Sequence, residues 1–486
     1  MKKIFIPIFI ILSVVLVSCR KNFDEINTNP NNPERVNPEL LMVNVVRSTV
    51  NQMTDDAFSV GNIVAQYAAE IREPGTDRYA WGSFSVWSNG YSTLRNVQNL
   101  YNIATERKLN NYKGIAHVMR ALIFSRMTDC YGALPYSEAL KGKAEDPVYT
   151  PKFDTQEEVY RGLIEELKQA NQLLSATGGP VRNDILYNGD FLKWKKLANS
   201  LRLRLLLRRS AKVDPSAEMK EILNNAKEFP IMETNADNAV LKYVESPNLF
   251  PVTGQRPGFF LDRRLSKTLA DKLNEIGDPR LPVFAQPTAE SVAAGQLRWV
   301  GVRNGEPDAN LGSSIDKKVS ALGSIYYNGL QVPVPAQGIV LTLAEVKFIL
   351  AEASHRGWIN GNPKSLYEEG IKASMDYYRT VSGANITLSN EYLNQPGVAY
   401  TTANGLQMIG IQRWIALYFN YLQGWHEWKR TGFPVLTPSF VNNNNNRIPV
   451  RFLYPTDLQV TNRENYLAAV AAQGEDNINT RLWLNK

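Results

Sequence analysis

The chain is poor in cysteine, with only Cys19 and Cys130 among 486 residues, and it carries only three histidines. Two cysteines close at most one disulfide, so a chain of this length must be held by a packed core. His117, His355 and His426 stand far apart, and none has a second histidine at i+4 or a cysteine nearby. Zinc-ligand spacing is therefore absent, and the His-Glu of WHEWKR at 425–430 lacks the closing histidine of a zinc protease helix. Also missing are a Gly-x-Ser-x-Gly elbow, a Walker-type phosphate loop and a Gly-x-Gly-x-x-Gly turn. A glycosidase needs only two well-placed carboxylates, so the 47 acidic residues keep a surface hydrolase as an alternative, although no site chemistry marks one. Charge of one sign is not in large excess. Against those acids stand 54 Lys and Arg, a formal balance of +7 that gives no nucleic-acid footprint.

No apolar run reaches the roughly 20 residues that a membrane-spanning helix needs. The stretch from Ile4 to Val17 is broken by Pro7 and Ser13, follows Lys2 and Lys3, and ends at Leu16-Val17-Ser18-Cys19. A basic start, a short apolar segment and a small residue read as a secretory signal peptide over 1–18. The tetrapeptide matches the bacterial lipobox, in which the cysteine thiol takes diacylglycerol and the signal is cut before it. Cys19 is thus the expected lipid attachment point, and several acyl chains on one residue anchor a protein without a spanning helix. The Asn/Pro-rich segment 19–38 reads as a tether, and 39–486 as a single folded domain. With Cys19 acylated no disulfide remains, and Cys130 is read as a small buried apolar residue.

Elsewhere the pattern is helical hairpins separated by irregular segments. Thr342-Leu-Ala-Glu345 fits a capping box opening LTLAEVKFILAEASHRGW, with Leu343, Val346, Leu350 and Ala353 as its stripe. Pro363 starts a second helix carrying Leu366, Ile371 and Tyr378. Similar hairpins are read at 84–131, 155–211 and 404–430. The basic stretch 192–210 places Trp194, Leu197, Leu201 and Leu205 on one face, which predicts a solvated Lys/Arg face opposite. Trp414, Tyr418, Trp425 and Trp428 form a packing stripe. The five asparagines 442–446 read as a surface turn, and 231–341 reads as a loop-rich insertion with short strands.

FDEINTNPNNPE at 23–34, DCYGALPYSEAL at 129–140, DPRLPVFA at 278–285, LTLAEVKFILAEASHRGW at 341–358, QRWIALYFNYLQGWHEWKRTGFPVL at 412–436 and RIPVRFLYPTDLQVTNRENYLAA at 447–469 follow one another behind the lipobox. In this order they resemble the SusD/RagB family of outer-membrane lipoproteins. The resemblance implies a mostly α-helical fold with tetratricopeptide-like helix pairs, long irregular loops and a few short strands. It implies display at the outer membrane, facing the cell exterior. It also implies a partner, a SusC-like TonB-dependent transporter, for which the lipoprotein captures a glycan, peptide or other large solute. No cofactor and no catalysis are expected on this reading. A surface adhesion or scaffold protein using its helical repeats is the alternative from another class.

The densest aromatic and polar cluster outside the helices is REPGTDRYAWGSFSVWSNGY at 72–91. Pro74, Gly75 and Gly82 break helix there, placing Tyr79 and Trp81 in a loop and Trp87 at the next helix start. Flat rings stack on sugar faces, while Asp77 and Arg78 can hydrogen-bond hydroxyl or peptide groups. The region corresponds loosely to one that supplies ligand contacts in glycan-capturing relatives. The expected ligand-binding residues are therefore Asp77, Arg78, Tyr79, Trp81 and Trp87, with packing onto the core as the competing role. A second aromatic group lies in the insertion: Phe259, Phe260, Trp299, Tyr326 and Tyr327.

Overall fold

The computed structural model describes residues 37–244, 248–254, 257–327 and 333–486. The signal segment, Cys19 and most of the tether lie outside the described residues. Helix α1 (Pro38–Asp56) opens with Asn37, whose side chain accepts the Glu39 N–H, and with proline in its first turn. The longer helices that follow are α2 (Val86–Glu106), α3 (Asn110–Tyr131), α4 (Gln156–Leu173), α5 (Phe191–Arg208) and α6 (Ser216–Asn224). Then come α7 (Lys267–Glu275), α8 (Leu343–His355), α9 (Pro363–Ser382), α10 (Gly405–Ala416), α11 (Gln423–Thr431) and α12 (Arg463–Gln473). The fold is mostly α, as expected, and the hairpins are α2/α3, α4/α5, α8/α9 and α10/α11.

Strands are few and short among the described residues. β1 (Ala68–Glu70) pairs antiparallel with β3 (Arg263–Leu265), and β2 (Ala239–Leu241) with β4 (Gly338–Leu341). The insertion thus contributes strands and loops, with α7 lying between the stretches 231–262 and 278–341 whose composition reads as loops and short strands.

Caps explain where the helices begin and end. A capping box does exist, at α4: Thr155 accepts from the Glu158 N–H while the Glu158 carboxylate accepts from the Thr155 N–H. At α8, Thr342 accepts the Glu345 N–H as expected, but the Glu345 side chain does not turn back to the helix start. It goes instead to arginines. α3 ends at Gly132, whose φ of 82° suits a residue without a side chain, and its N–H reaches the Thr128 carbonyl.

One contiguous apolar cluster runs from Met42 to Leu484, through α2 on α3, α3 on α4, α4 on α5, and α8 on α9 and α10. Trp414, Tyr418 and Trp425 lie in it fully buried, with Trp428 packed at its edge. Cys130 is buried and unpaired, and burial pushes its thiol up to about 12, so it is a packing residue.

The basic face of α5 corrects the sequence expectation. Arg202, Arg204 and Arg208 are not solvated but buried, because carboxylates from other helices meet them. Arg204 grips Glu345 of α8 through Nε at 2.8 Å and Nη2 at 2.6 Å, and also reaches the Val340 carbonyl. Arg413 of α10 bridges Glu345 at 3.1 Å and Glu427 of α11 at 2.9 Å. Arg208 pairs with Asp129 of α3 and with Glu427 at 3.1 Å. Arg430 then joins Glu427 to Glu352 of α8. Sequence spacing shows which side of α5 is basic, but not what opposes it.

Burial alone would raise the Glu345, Glu352 and Glu427 carboxyls, yet the surrounding guanidiniums outweigh it and hold all three below the ordinary 4.5. A lowered carboxyl contributes stability above its unfolded-state value, and that contribution is lost as pH falls through the folded-state value. The melting temperature should therefore begin to fall steeply as pH drops below about 4.5. Replacing Glu345 by glutamine leaves Arg204 and Arg413 without their shared counter-charge, at an expected cost of about 3–5 kcal/mol in thermal or denaturant unfolding.

Candidate functional site

The 71–85 loop leaves β1 beside β3, and a small separate apolar cluster of Ala69, Ile71, Val302 and Val319 lies beneath it. Asp262, just before β3, accepts the Ile71 N–H at 3.1 Å and so fixes the loop's exit. Asp77 then ties three distant segments together. Its carboxylate accepts from Asn304 Nδ2 at 2.7 Å, from the Gly305 N–H at 2.9 Å and from Ser439 Oγ at 3.4 Å, while its own N–H donates to Glu70 at 3.0 Å. With 0% exposure, Asp77 meets protein on every side.

Tyr79 has a left-handed backbone (φ 60°) and is buried, with its hydroxyl accepting the Ser439 N–H at 2.9 Å. The carbonyl of Arg78 accepts the Asn443 N–H at 2.8 Å. Its half-buried guanidinium pairs with Asp308 and donates to the Glu306 carbonyl at 2.9 Å. Trp81 is half-buried, donating from Nε1 to the Thr76 carbonyl at 3.0 Å, with its ring edge-on to Phe84, Trp425 and Phe452. Trp87, at 8% exposure, is packed among Tyr91, Tyr131, Phe153 and Tyr454.

The five expected residues are thus brought to one region but not to one face. Asp77, Tyr79 and Trp87 point inward; Arg78 and Trp81 reach toward the surface. Phe84, which sequence reasoning passed over, lies on Phe452 at 4.4 Å between centroids and lines an open cavity of 640 Å³ together with Glu70, Glu73, Thr76, Arg78, Arg263 and Asn443. A second cavity of 360 Å³ lies across Asn304, lined by Gln66, Lys267, Asp271, Arg303 and Phe440, with the Arg303 guanidinium 3.7 Å from the Phe440 ring centre. Phe84 was legible as an aromatic within the quoted stretch. Arg263, Asn304 and Asn443 were not, because they lie far along the chain from the loop they meet.

The second aromatic group goes largely to the core. Phe260 stacks on Phe58 and Tyr327, Tyr326 stacks on Phe419 at 4.1 Å, and Trp299 is half-buried with Nε1 donating to the Ala285 carbonyl. The Phe259 side chain lies outside the described set. No helix among the described residues is long and apolar enough to cross a membrane.

The family model SusD-like, described as starch-binding associating with outer membrane, matches residues 30–455, and the chain belongs to that family. Among solved structures, a SusD homologue from Bacteroides fragilis is 28% identical with a TM-score of 0.79, the match covering 93% of this chain and 100% of that one. An outer membrane protein from Bacteroides vulgatus, to which a role in nutrient binding is ascribed, is 29% identical with a TM-score of 0.82 over the same shares. A chitin-binding protein is 26% identical with a TM-score of 0.80, again over 93% and 100%. None of the curated proteins matches the chain.

Burial pushes the Glu70 carboxyl up to about 7 and Asp77 up to about 6, although Arg263 sits 2.8 Å from Glu70 and Gly305 donates to Asp77. A raised carboxyl binds its proton more tightly in the folded state, so its stabilising effect is complete at low pH and is lost as pH rises through the folded-state value. Unfolding free energy should accordingly decline between about pH 5 and 8, and Glu70→Gln should flatten that decline in melting curves taken across the range.

Proposed function

We propose that this protein is a cell-surface lipoprotein that captures a glycan and delivers it to a SusC-like, TonB-dependent transporter in the outer membrane. The observation that carries the reading is the 640 Å³ cavity over the Asp77-pinned loop, in a chain of a family described as starch-binding. The 26% identical chitin-binding protein supports a sugar ligand. In this reading the 72–91 loop is the capture platform. Phe84 supplies stacking surface, with Trp81 packed edge-on against it, and Arg78, Thr76 and Asn443 supply hydrogen bonds. Asp77, Tyr79 and Trp87 hold that surface from below rather than touching ligand. Preorganised aromatic and polar groups spare a flexible sugar the cost of ordering its binding site.

Titration with maltoheptaose and chitohexaose tests the reading. At least one should bind, and Phe84→Ala should weaken it by about 2 kcal/mol, near thirtyfold in Kd, with a smaller loss of stability than Trp87→Ala causes because Phe84 is only partly buried. Trp87→Ala should instead remove about 3–5 kcal/mol of stability. Binding of neither sugar, or binding that Phe84→Ala and Arg78→Ala both leave unchanged, overturns the assignment.

The anchor is tested separately. Cys19→Ala should abolish incorporation of labelled fatty acid into the protein, since Cys19 is the acyl attachment point in this reading. Labelling that persists in that variant overturns the lipoprotein assignment.

A further inference from the structure

We infer that a second ligand site, for a carboxylate- or sulfate-bearing oligosaccharide, lies in the groove between α2, α3 and the 137–144 segment. The groove encloses 580 Å³ and is lined by Arg95, Gln98 and Asn99 of α2, Arg120 of α3, and Lys141 and Lys143 of the segment. No carboxylate lines it. Arg95, Lys141 and Lys143 make no ion pair among the described residues; the Arg95 guanidinium meets only Ser92 Oγ, at 3.4 Å. Glu138, the acid within the segment, is engaged elsewhere, its carboxylate accepting the Lys152 N–H at 2.8 Å.

Arg120 differs from these exposed cations in being held by protein partners. Its Nε donates to Glu166 at 2.8 Å and its Nη2 to the Tyr136 carbonyl at 3.2 Å, while its guanidinium lies over the rings of Phe124 and Tyr136 at 4.7 and 5.0 Å. Nη1 is left with no protein acceptor among the described residues, and Arg120 lines the groove. A planar guanidinium held in this way presents a directed donor to a carboxylate or sulfate oxygen. Arg95, Gln98, Asn99 and Asn102 recur at i, i+3, i+4 and i+7, so one helix face offers a cation and three amides side by side. Amides both donate and accept, as sugar hydroxyls require. A 200 Å³ cavity shares Gln98 and Arg120 with the groove and adds the half-buried Tyr101 ring, over which Lys113 Nζ lies 5.1 Å from the ring centre.

An acidic peptide would call on the cations alone, whereas the row of side-chain amides beside them matches the hydroxyls of a sugar. The sugar class of the ligand rests on the glycan reading above; the place and the charge preference do not.

Calorimetric titration of the full chain in detergent, with tetragalacturonate, a sulfated chondroitin tetrasaccharide and inorganic sulfate, decides the matter. At least one charged oligosaccharide should bind, more weakly as salt is raised. The variant Arg95→Gln/Lys141→Gln/Lys143→Gln should lose about tenfold or more of that affinity with an unchanged melting temperature. Phe84→Ala should leave it intact, which separates this site from the loop cavity. Binding of neither oligosaccharide, equal affinity in the triple variant, or sulfate binding as tightly as the oligosaccharides overturns the inference. Loss of neutral-sugar binding alone overturns only the loop assignment.

Discussion

The helical stack turns on the charge network that runs Arg204, Glu345, Arg413, Glu427, Arg208, Asp129, with Arg430 and Glu352 as a branch. Every member is almost wholly removed from water, and each carboxylate is shared or hydrogen-bonded. Gln423 adds a contact to Arg208 at 2.6 Å, and the Tyr160 hydroxyl reaches Asp129. Such a network stabilises little relative to a well-packed apolar core, because dehydrating the ions costs nearly what their attraction returns. Its effect is on alternatives: any arrangement of α3, α5, α8, α10 and α11 that separates two members strands a charge in the interior. Apolar stripes alone tolerate sliding of one helix on another, whereas bidentate Arg–carboxylate geometry fixes register.

From that stack the order passes to the 71–85 loop through a short chain of contacts. Trp414 of α10 donates from Nε1 to the Ala65 carbonyl, and its own carbonyl accepts the Tyr67 hydroxyl at 2.6 Å. These bonds hold the segment that runs into β1. Close packing contributes as well: Gly61 lies so near the Tyr421 carbonyl that a Cβ there would approach it to 2.2 Å. Beyond β1, Asp262 and Asp77 take over, each accepting backbone N–H groups from the loop or its neighbours. The loop is therefore irregular in conformation but specified by hydrogen bonds, as the capture role proposed for it requires.

Much of the architecture was legible because helix pairs announce themselves by apolar spacing and caps. Thr342, Pro363 and Gly132 mark helix ends by local chemistry that needs no knowledge of partners. Two features were not legible for one reason. Glu345 stands where a capping box would use it, and α5 shows arginines where a surface helix would show them, yet each is the other's partner across 141 residues. The candidate site repeats the lesson at smaller scale. Aromatic density located the 72–91 loop, but the inward turn of Asp77 and Tyr79 depends on Asn304, Gly305 and Ser439, whose proximity no local pattern encodes.

Charge pairing also separates the two surfaces proposed for ligands. Around the loop cavity each cation is already answered: Arg78 by Asp308, Arg263 by Glu70 and Asp262. A neutral sugar can enter there without displacing an ion pair, and an anionic one would compete with acids already in place. In the α2/α3 groove the balance is reversed, since among the described residues Arg120 alone of its cations has a carboxylate partner, Glu166, with 12% side-chain exposure. Nothing in the groove repels an anion, and the unpaired lysines carry flexible stems that can follow a ligand of variable length. On the two proposals, the same helical scaffold would select differently, through charges paired at its loop end and charges left unpaired among the described residues along a hairpin.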